Sequence, residues 1–203
     1  MTPIKCFLIT PTDQADHFLR RYQKSTDQDK CEVCPGGYHQ ASVSIGRFAA
    51  VIDADGYIIS PDASEYPGDK RWPEASPCGY RFRSDDEWQV RAERIYTDQA
   101  GNEFALNRPV PGMMYDAWWY RDHDKGPDGL SLIVITPDLH PWNIDGRASN
   151  CTLPHDPIHK CWVRHGTPPN LTVDKNGNTC AAGAGSIQTP KWHGFLRDGH
   201  LME

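Results

Sequence analysis

The stretch Thr12-Asp13-Gln14-Ala15-Asp16-His17-Phe18-Leu19-Arg20-Arg21-Tyr22 decides the fold class. Ala15, Phe18, Leu19 and Tyr22 fall at i, i+3, i+4 and i+7. Thr12 stands where an N-cap would, and charges occupy the other face, so the spacing predicts an amphipathic helix. Before it, Ile4 to Ile9 reads as a buried first strand ended by Thr10-Pro11. After it come a polar loop from Lys24 to Lys30 and two apolar runs, Phe48 to Ile52 and Tyr57 to Ile59. These flank Asp55-Gly56, a two-residue hairpin signal. A Pro-rich connection from Pro61 to Pro77 leads to Cys78.

Ser84-Asp85-Asp86-Glu87 has the capping-box pattern, with Trp88, Ala92, Ile95 and Tyr96 as the stripe of a second helix. Beyond it lie turn signals at Gly101-Asn102, Pro127-Asp128-Gly129, Asn176-Gly177 and Asp198-Gly199. Strands are expected at Ala117 to Tyr120, Leu130 to Thr136, Lys160 to Val163 and Leu171 to Val173. Two helices against about eight short strands imply an α+β fold of antiparallel strands and hairpins. A single domain is expected over 1–203, with a candidate seam near 97–112.

Composition narrows the classes. The chain has 203 residues, 38% of them hydrophobic, with 17 Gly and 17 Pro. That is a small core with many turns. A net charge of -6 without a basic stripe argues against nucleic acid as partner. The run from Pro3 to Ile9 is too short for a secretory leader, and Leu132 to Ile135 is far short of a membrane span. The protein is therefore expected to be neither secreted nor in a membrane. Seven cysteines, an odd number, then favour metal or thiol chemistry over disulfides.

Cys31-Glu32-Val33-Cys34, followed by Pro35-Gly36-Gly37, can wrap two sulfurs around one zinc ion. Cys78, in Pro77-Cys78-Gly79-Tyr80, and His39 are the candidates to complete the set. An ordinary reduced pair and a redox Cys-x-x-Cys are the other readings. A second candidate cluster is Cys151, His159, Cys161 and His165, with His155 nearby. If His159 to His165 is a strand, period 2 puts His159, Cys161 and His165 on one face. Core packing and catalysis compete with metal there. The catalytic version has Cys151 or Cys180 as nucleophile, His159 or His165 as base, and Asp145 or Asp156 as orienting group. The Gly-rich segment after Cys180, through Gly183-Ala184-Gly185-Ser186, would supply backbone donors. Trp118 and Trp119, in the densest aromatic patch, are either core plus one exposed ring or a binding surface.

Several longer phrases carry a resemblance. They are Gly126-Pro127-Asp128-Gly129-Leu130-Ser131, Asp145-Gly146-Arg147-Ala148-Ser149-Asn150-Cys151-Thr152 and Cys161-Trp162-Val163-Arg164-His165-Gly166. With them go Cys180-Ala181-Ala182-Gly183-Ala184-Gly185-Ser186-Ile187, His193-Gly194-Phe195-Leu196-Arg197-Asp198-Gly199, Cys34-Pro35-Gly36-Gly37-Tyr38-His39 and Asp116-Ala117-Trp118-Trp119. On these the chain resembles a family of uncharacterised tailed-bacteriophage proteins. The resemblance implies a phage product in the host cytoplasm or the virion, and it transfers no functional residue. Some members carry a paired-cysteine knuckle where this chain has Cys78 alone, which counts against a four-sulfur site. The functional expectation is a zinc-stabilised accessory module that binds a phage or host protein. A cysteine/histidine or metal-dependent enzyme is the first alternative, and a virion-associated structural or decoration protein the second.

Overall fold

A computed structural model describes residues 2–23, 31–34, 37–120, 125–176, 180, 182 and 185–203. In chain order its strands are β1 (Ile4–Lys5), β2 (Phe7–Leu8), β3 (Thr10–Tyr22), β4 (Gln40–Ala49), β5 (Glu87–Thr97), β6 (Glu103–Phe104) and β7 (Met113–Asp116). They continue with β8 (Leu132–Ile135), β9 (Pro141–Asn143), β10 (Val163–Thr167), β11 (Asn170–Asp174), β12 (Ile187–Gln188), β13 (His193–Arg197) and β14 (His200–Met202). The described residues contain no α-helix, so the α+β expectation is corrected to a nearly all-β protein.

Both expected helices are strands. Along β3 burial alternates, with Ala15, His17, Leu19 and Arg21 inward. Pairing with β4 runs from Gln14↔Ala49 to Tyr22↔Gln40, with one bulge at His17/Phe18. A strand here must bury an imidazole and a guanidinium, and aromatic rings meet both, although His17 Nδ1 and Arg21 Nε find no hydrogen-bond partner among the described residues. His17 stacks on Phe48, ring centroids 4.6 Å apart. The Arg21 guanidinium lies 3.9 Å from the Trp88 ring centroid, 5.1 Å from that of Phe82, and donates to the Arg83 carbonyl. In β5, Val90 and Ala92 face inward. The residues read as a capping box form a turn instead, in which the Asp86 carboxylate accepts from the Arg83 amide at 2.8 Å. A capping box does form at Asp62 and Glu65, around the 3-10 turn Ala63–Glu65.

The chain groups into two compact units, Pro11–Ile95 and Met1–Thr10 with Tyr96–Glu203. In the first, β3 lies between β4 and β5. Its core is Leu19, Trp72 and Val90, with Ile45, Ala63 and Tyr66 packed against them. The hairpin at Asp55-Gly56 closes by Ile59 N–H to the Val51 carbonyl (2.8 Å) and Asp53 N–H to the Tyr57 carbonyl (2.9 Å).

The second unit is built on the sheet β2-β7-β8-β9, in which only the β2–β7 pair is parallel. All four residues of β8 are buried, because both faces of the sheet are covered. Leu132 and Val134 join Met114, Ile144, Leu171, Trp192 and Leu196 on one face, while Ile133 and Ile135 join Ile9, Met113 and Tyr115 on the other. A second sheet, β1-β14-β13-β12, and the β10–β11 hairpin complete the unit. Gly112 is required where β2 meets β7: its φ is 85°, and a Cβ would sit 2.6 Å from the Lys5 carbonyl oxygen.

The strand expected at Ala117 to Tyr120 is a turn, closed by Tyr120 N–H to the Ala117 carbonyl. The loop expected at Lys24 to Lys30, and Gly177 of the Asn176-Gly177 turn, lie outside the described residues. Among the described residues no helix is long and apolar enough to cross a membrane.

Candidate metal centres

Each unit carries one Cys3His set. In the first unit the backbone folds around Cys31 and Cys34. The Cys31 N–H donates to the Gly37 carbonyl (2.8 Å), the Gly37 N–H to the Cys34 carbonyl (3.1 Å), and the Cys34 N–H to the Cys31 sulfur (3.4 Å). Pro35 and Gly36 lie outside the described residues. Cys78 arrives on a hairpin turn in which Ser76 and Tyr80 pair and Gly79, at φ 91°, donates back to Ser76. His39 stands just ahead of β4. Its Nδ1 is 3.0 Å from the Cys78 sulfur and 4.0 Å from that of Cys34.

The ligand atoms of Cys31, Cys34, His39 and Cys78 all lie within 4.8 Å of one another. Tetrahedral zinc with Zn–S bonds of ~2.3 Å needs sulfur–sulfur edges of roughly 3.8 Å, so the set is of the right size. Burial raises the Cys34 thiol, but hydrogen bonds from His39, the Gln40 backbone, Cys78 and Ser76 outweigh it and bring the thiol down to about 6. Ser76 is the main cause of a lowered Cys78, and Cys34 the main cause of a raised His39. Against a backbone hydrogen bond from Cys34 that lowers it, burial and the Cys34 and Cys78 side chains raise Cys31, and a metal that binds the set displaces the remaining protons.

The second unit brings together Cys151, His159, Cys161 and Cys180, again with ligand atoms within 4.8 Å of one another. The Cys161 sulfur is 3.5 Å from His159 Nε2. Both residues are buried, Cys151 and Cys180 partly so. Burial pushes the Cys161 thiol up to about 11. Two Cys3His clusters are thus able to hold a metal ion, and their donors are compatible with zinc.

His165 is not in this cluster. Its Nε2 lies 3.0 Å from the Asp174 carboxylate, with the side chain 44% exposed. Period 2 does not carry from His159 to His165, because β10 begins only at Val163 and Cys161–Trp162 form a bend. Cys180 takes the fourth place. The signal for it was its Gly-rich follow-on, similar to that after Cys34.

Of the catalytic reading, Cys151, Cys180 and His159 do lie together, with ligand atoms within 4.8 Å of one another, while His165 and the two carboxylates have other partners. Asp145 is buried against Arg164 (2.8 Å) and accepts from the Leu132 amide (2.9 Å). Asp156 accepts from the backbone amides of Ile158 and His159. Ala181, Gly183 and Ala184 of the Gly-rich segment lie outside the described residues. In the aromatic patch Trp118 is half-buried and Trp119 is 37% exposed, their rings perpendicular at 5.4 Å. Tyr115 and Tyr120 each lie 6.3 Å from Trp119.

No family model, curated protein or solved structure matches this chain.

Proposed function

We propose that the protein is a zinc-stapled accessory module that works by binding a phage or host protein. The observation that carries this reading is the closed set Cys31, Cys34, His39 and Cys78. Four protein donors leave no coordination position for substrate, which is the arrangement of structural rather than catalytic zinc. The unit that holds the set has a thin core around Leu19, Trp72 and Val90. There, metal-ligation energy becomes folding energy.

A binding role is supported by Trp119 and Tyr120, each 37% exposed beside Trp118. Aromatic side chains of this kind anchor protein interfaces. The resemblance to tailed-phage proteins supports seeking the partner among phage and host proteins.

The test has two arms. Cys31→Ser/Cys34→Ser should remove one zinc per chain by elemental analysis and lower the unfolding temperature. Trp118→Ala/Trp119→Ala should keep the zinc and the unfolding temperature but lose a partner that the wild-type chain retains from infected-cell lysate. A zinc-free wild type would remove the staple, and capture unchanged by the tryptophan variant would remove the aromatic surface.

A further inference from the structure

The second Cys3His set takes its ligands from two connections between strands, the first of which is anchored at its ends by buried Ile144, the Asp145–Arg164 pair and Trp162. Residues 144–162, between β9 and β10, form no strand, and neither do the described residues of 175–186, between β11 and β12. Connections longer than about 12–15 residues without secondary structure are uncommon in a packed domain unless something fixes them. The first segment has local ties: Arg147 donates to the Leu153 and Asp156 carbonyls, and Asp156 caps the Ile158 and His159 amides. In the second, the Lys175 ammonium donates to the Cys180 and Ala182 carbonyls. These bonds stay within each segment. Cys151, His159 and Cys161 come from the first segment and Cys180 from the second, with all four ligand atoms within 4.8 Å.

We propose that Cys151, His159, Cys161 and Cys180 bind a second zinc ion, which clamps the 144–162 connection to Cys180, beyond the β10–β11 hairpin. The site lies wholly within the unit Met1–Thr10 with Tyr96–Glu203, so it fills independently of the Cys31 site. Ligation energy there ties Cys180 to a connection that forms no strand.

The full chain, purified without chelator, should contain two zinc ions. Cys180→Ser should lower the count to one, and His165→Ala should leave it at two. Cys31→Ser/Cys34→Ser should retain one zinc, held by the second set. A count of zero in that variant would overturn the second site while leaving the first intact.

Because a cysteine variant can misfold, the wild-type chain supplies a separate reading. Mass mapping of alkylation should find Cys151, Cys161 and Cys180 protected in the zinc-loaded protein and labelled after chelation. Cys6, buried and outside both sets, is the internal control. Equal labelling of the three cysteines with and without metal would overturn the clamp. So would two zinc ions in Cys180→Ser.

Discussion

The His39 imidazole lies flat on the Tyr80 ring, with centroids 4.5 Å apart and planes 1° from parallel. Tyr80 is itself fixed: its hydroxyl donates to Asp86 at 3.1 Å, and Phe82 meets its ring edge-on at 5.7 Å. The stack therefore sets the plane in which His39 offers Nδ1 beside Cys34 and Cys78. Partners that orient a ligand typically govern about 10–100-fold in metal affinity. Tyr80→Ala is expected to weaken zinc at this site about tenfold, while Tyr80→Phe keeps the stack and most of the affinity. Competition with a chromophoric chelator measures both, and an unchanged Tyr80→Ala would show that the stack does not orient the ligand.

Arg21 is one of two buried polar residues of β3. Its guanidinium is buried over Trp88, and burial lowers its pKa from the ordinary value. A lysine ammonium can neither stack flat on the ring nor reach the Arg83 carbonyl in the same geometry. Arg21→Lys is predicted to cost about 1–2 kcal/mol in urea unfolding, followed by tryptophan fluorescence. A variant as stable as the wild type would remove the cation–π pair from the account of the sheet.

Asp138 ties the β8–β9 turn to the β12–β13 turn. It accepts from the Thr136 and Thr189 hydroxyls and from the Lys191 amide. Burial works against its charge, but these hydrogen bonds prevail and hold the carboxyl at about 2. The folded value lies below the unfolded one of about 3.9, so its stabilisation is complete above pH ~4 and fades as pH falls towards ~2. Solvent screening limits it to about 1 kcal/mol. Asp138→Asn should lose that amount at neutral pH and show a shallower fall in stability over this window. Urea unfolding across pH is the check, and parallel profiles would contradict it.

The sheet strands of the second unit were partly legible, because apolar runs such as Leu132 to Ile135 are buried on both faces. The fold class was not, for a physical reason visible in β3. Ala15, Phe18, Leu19 and Tyr22 satisfy a helical stripe, while the true inward face alternates through His17 and Arg21. Polar residues that are buried because aromatic rings and carbonyls receive them hide a strand from hydrophobic patterning. The capping-box pattern at Ser84 misled similarly, since Asp86 caps a turn that opens a strand rather than a helix. In the second cluster, sequence proximity favoured His165. The ligand brought in is Cys180, from beyond the β10–β11 hairpin. A hairpin that returns a distant cysteine leaves no local spacing to read.

The most direct measurement is zinc K-edge X-ray absorption on the full chain purified without chelator. Two closed Cys3His sites predict an average shell of three sulfurs at ~2.3 Å and one nitrogen at ~2.0–2.1 Å per zinc, with no oxygen. Absence of bound zinc, or a shell in which oxygen replaces a protein donor, would contradict the closed sites and the stapled module built on them.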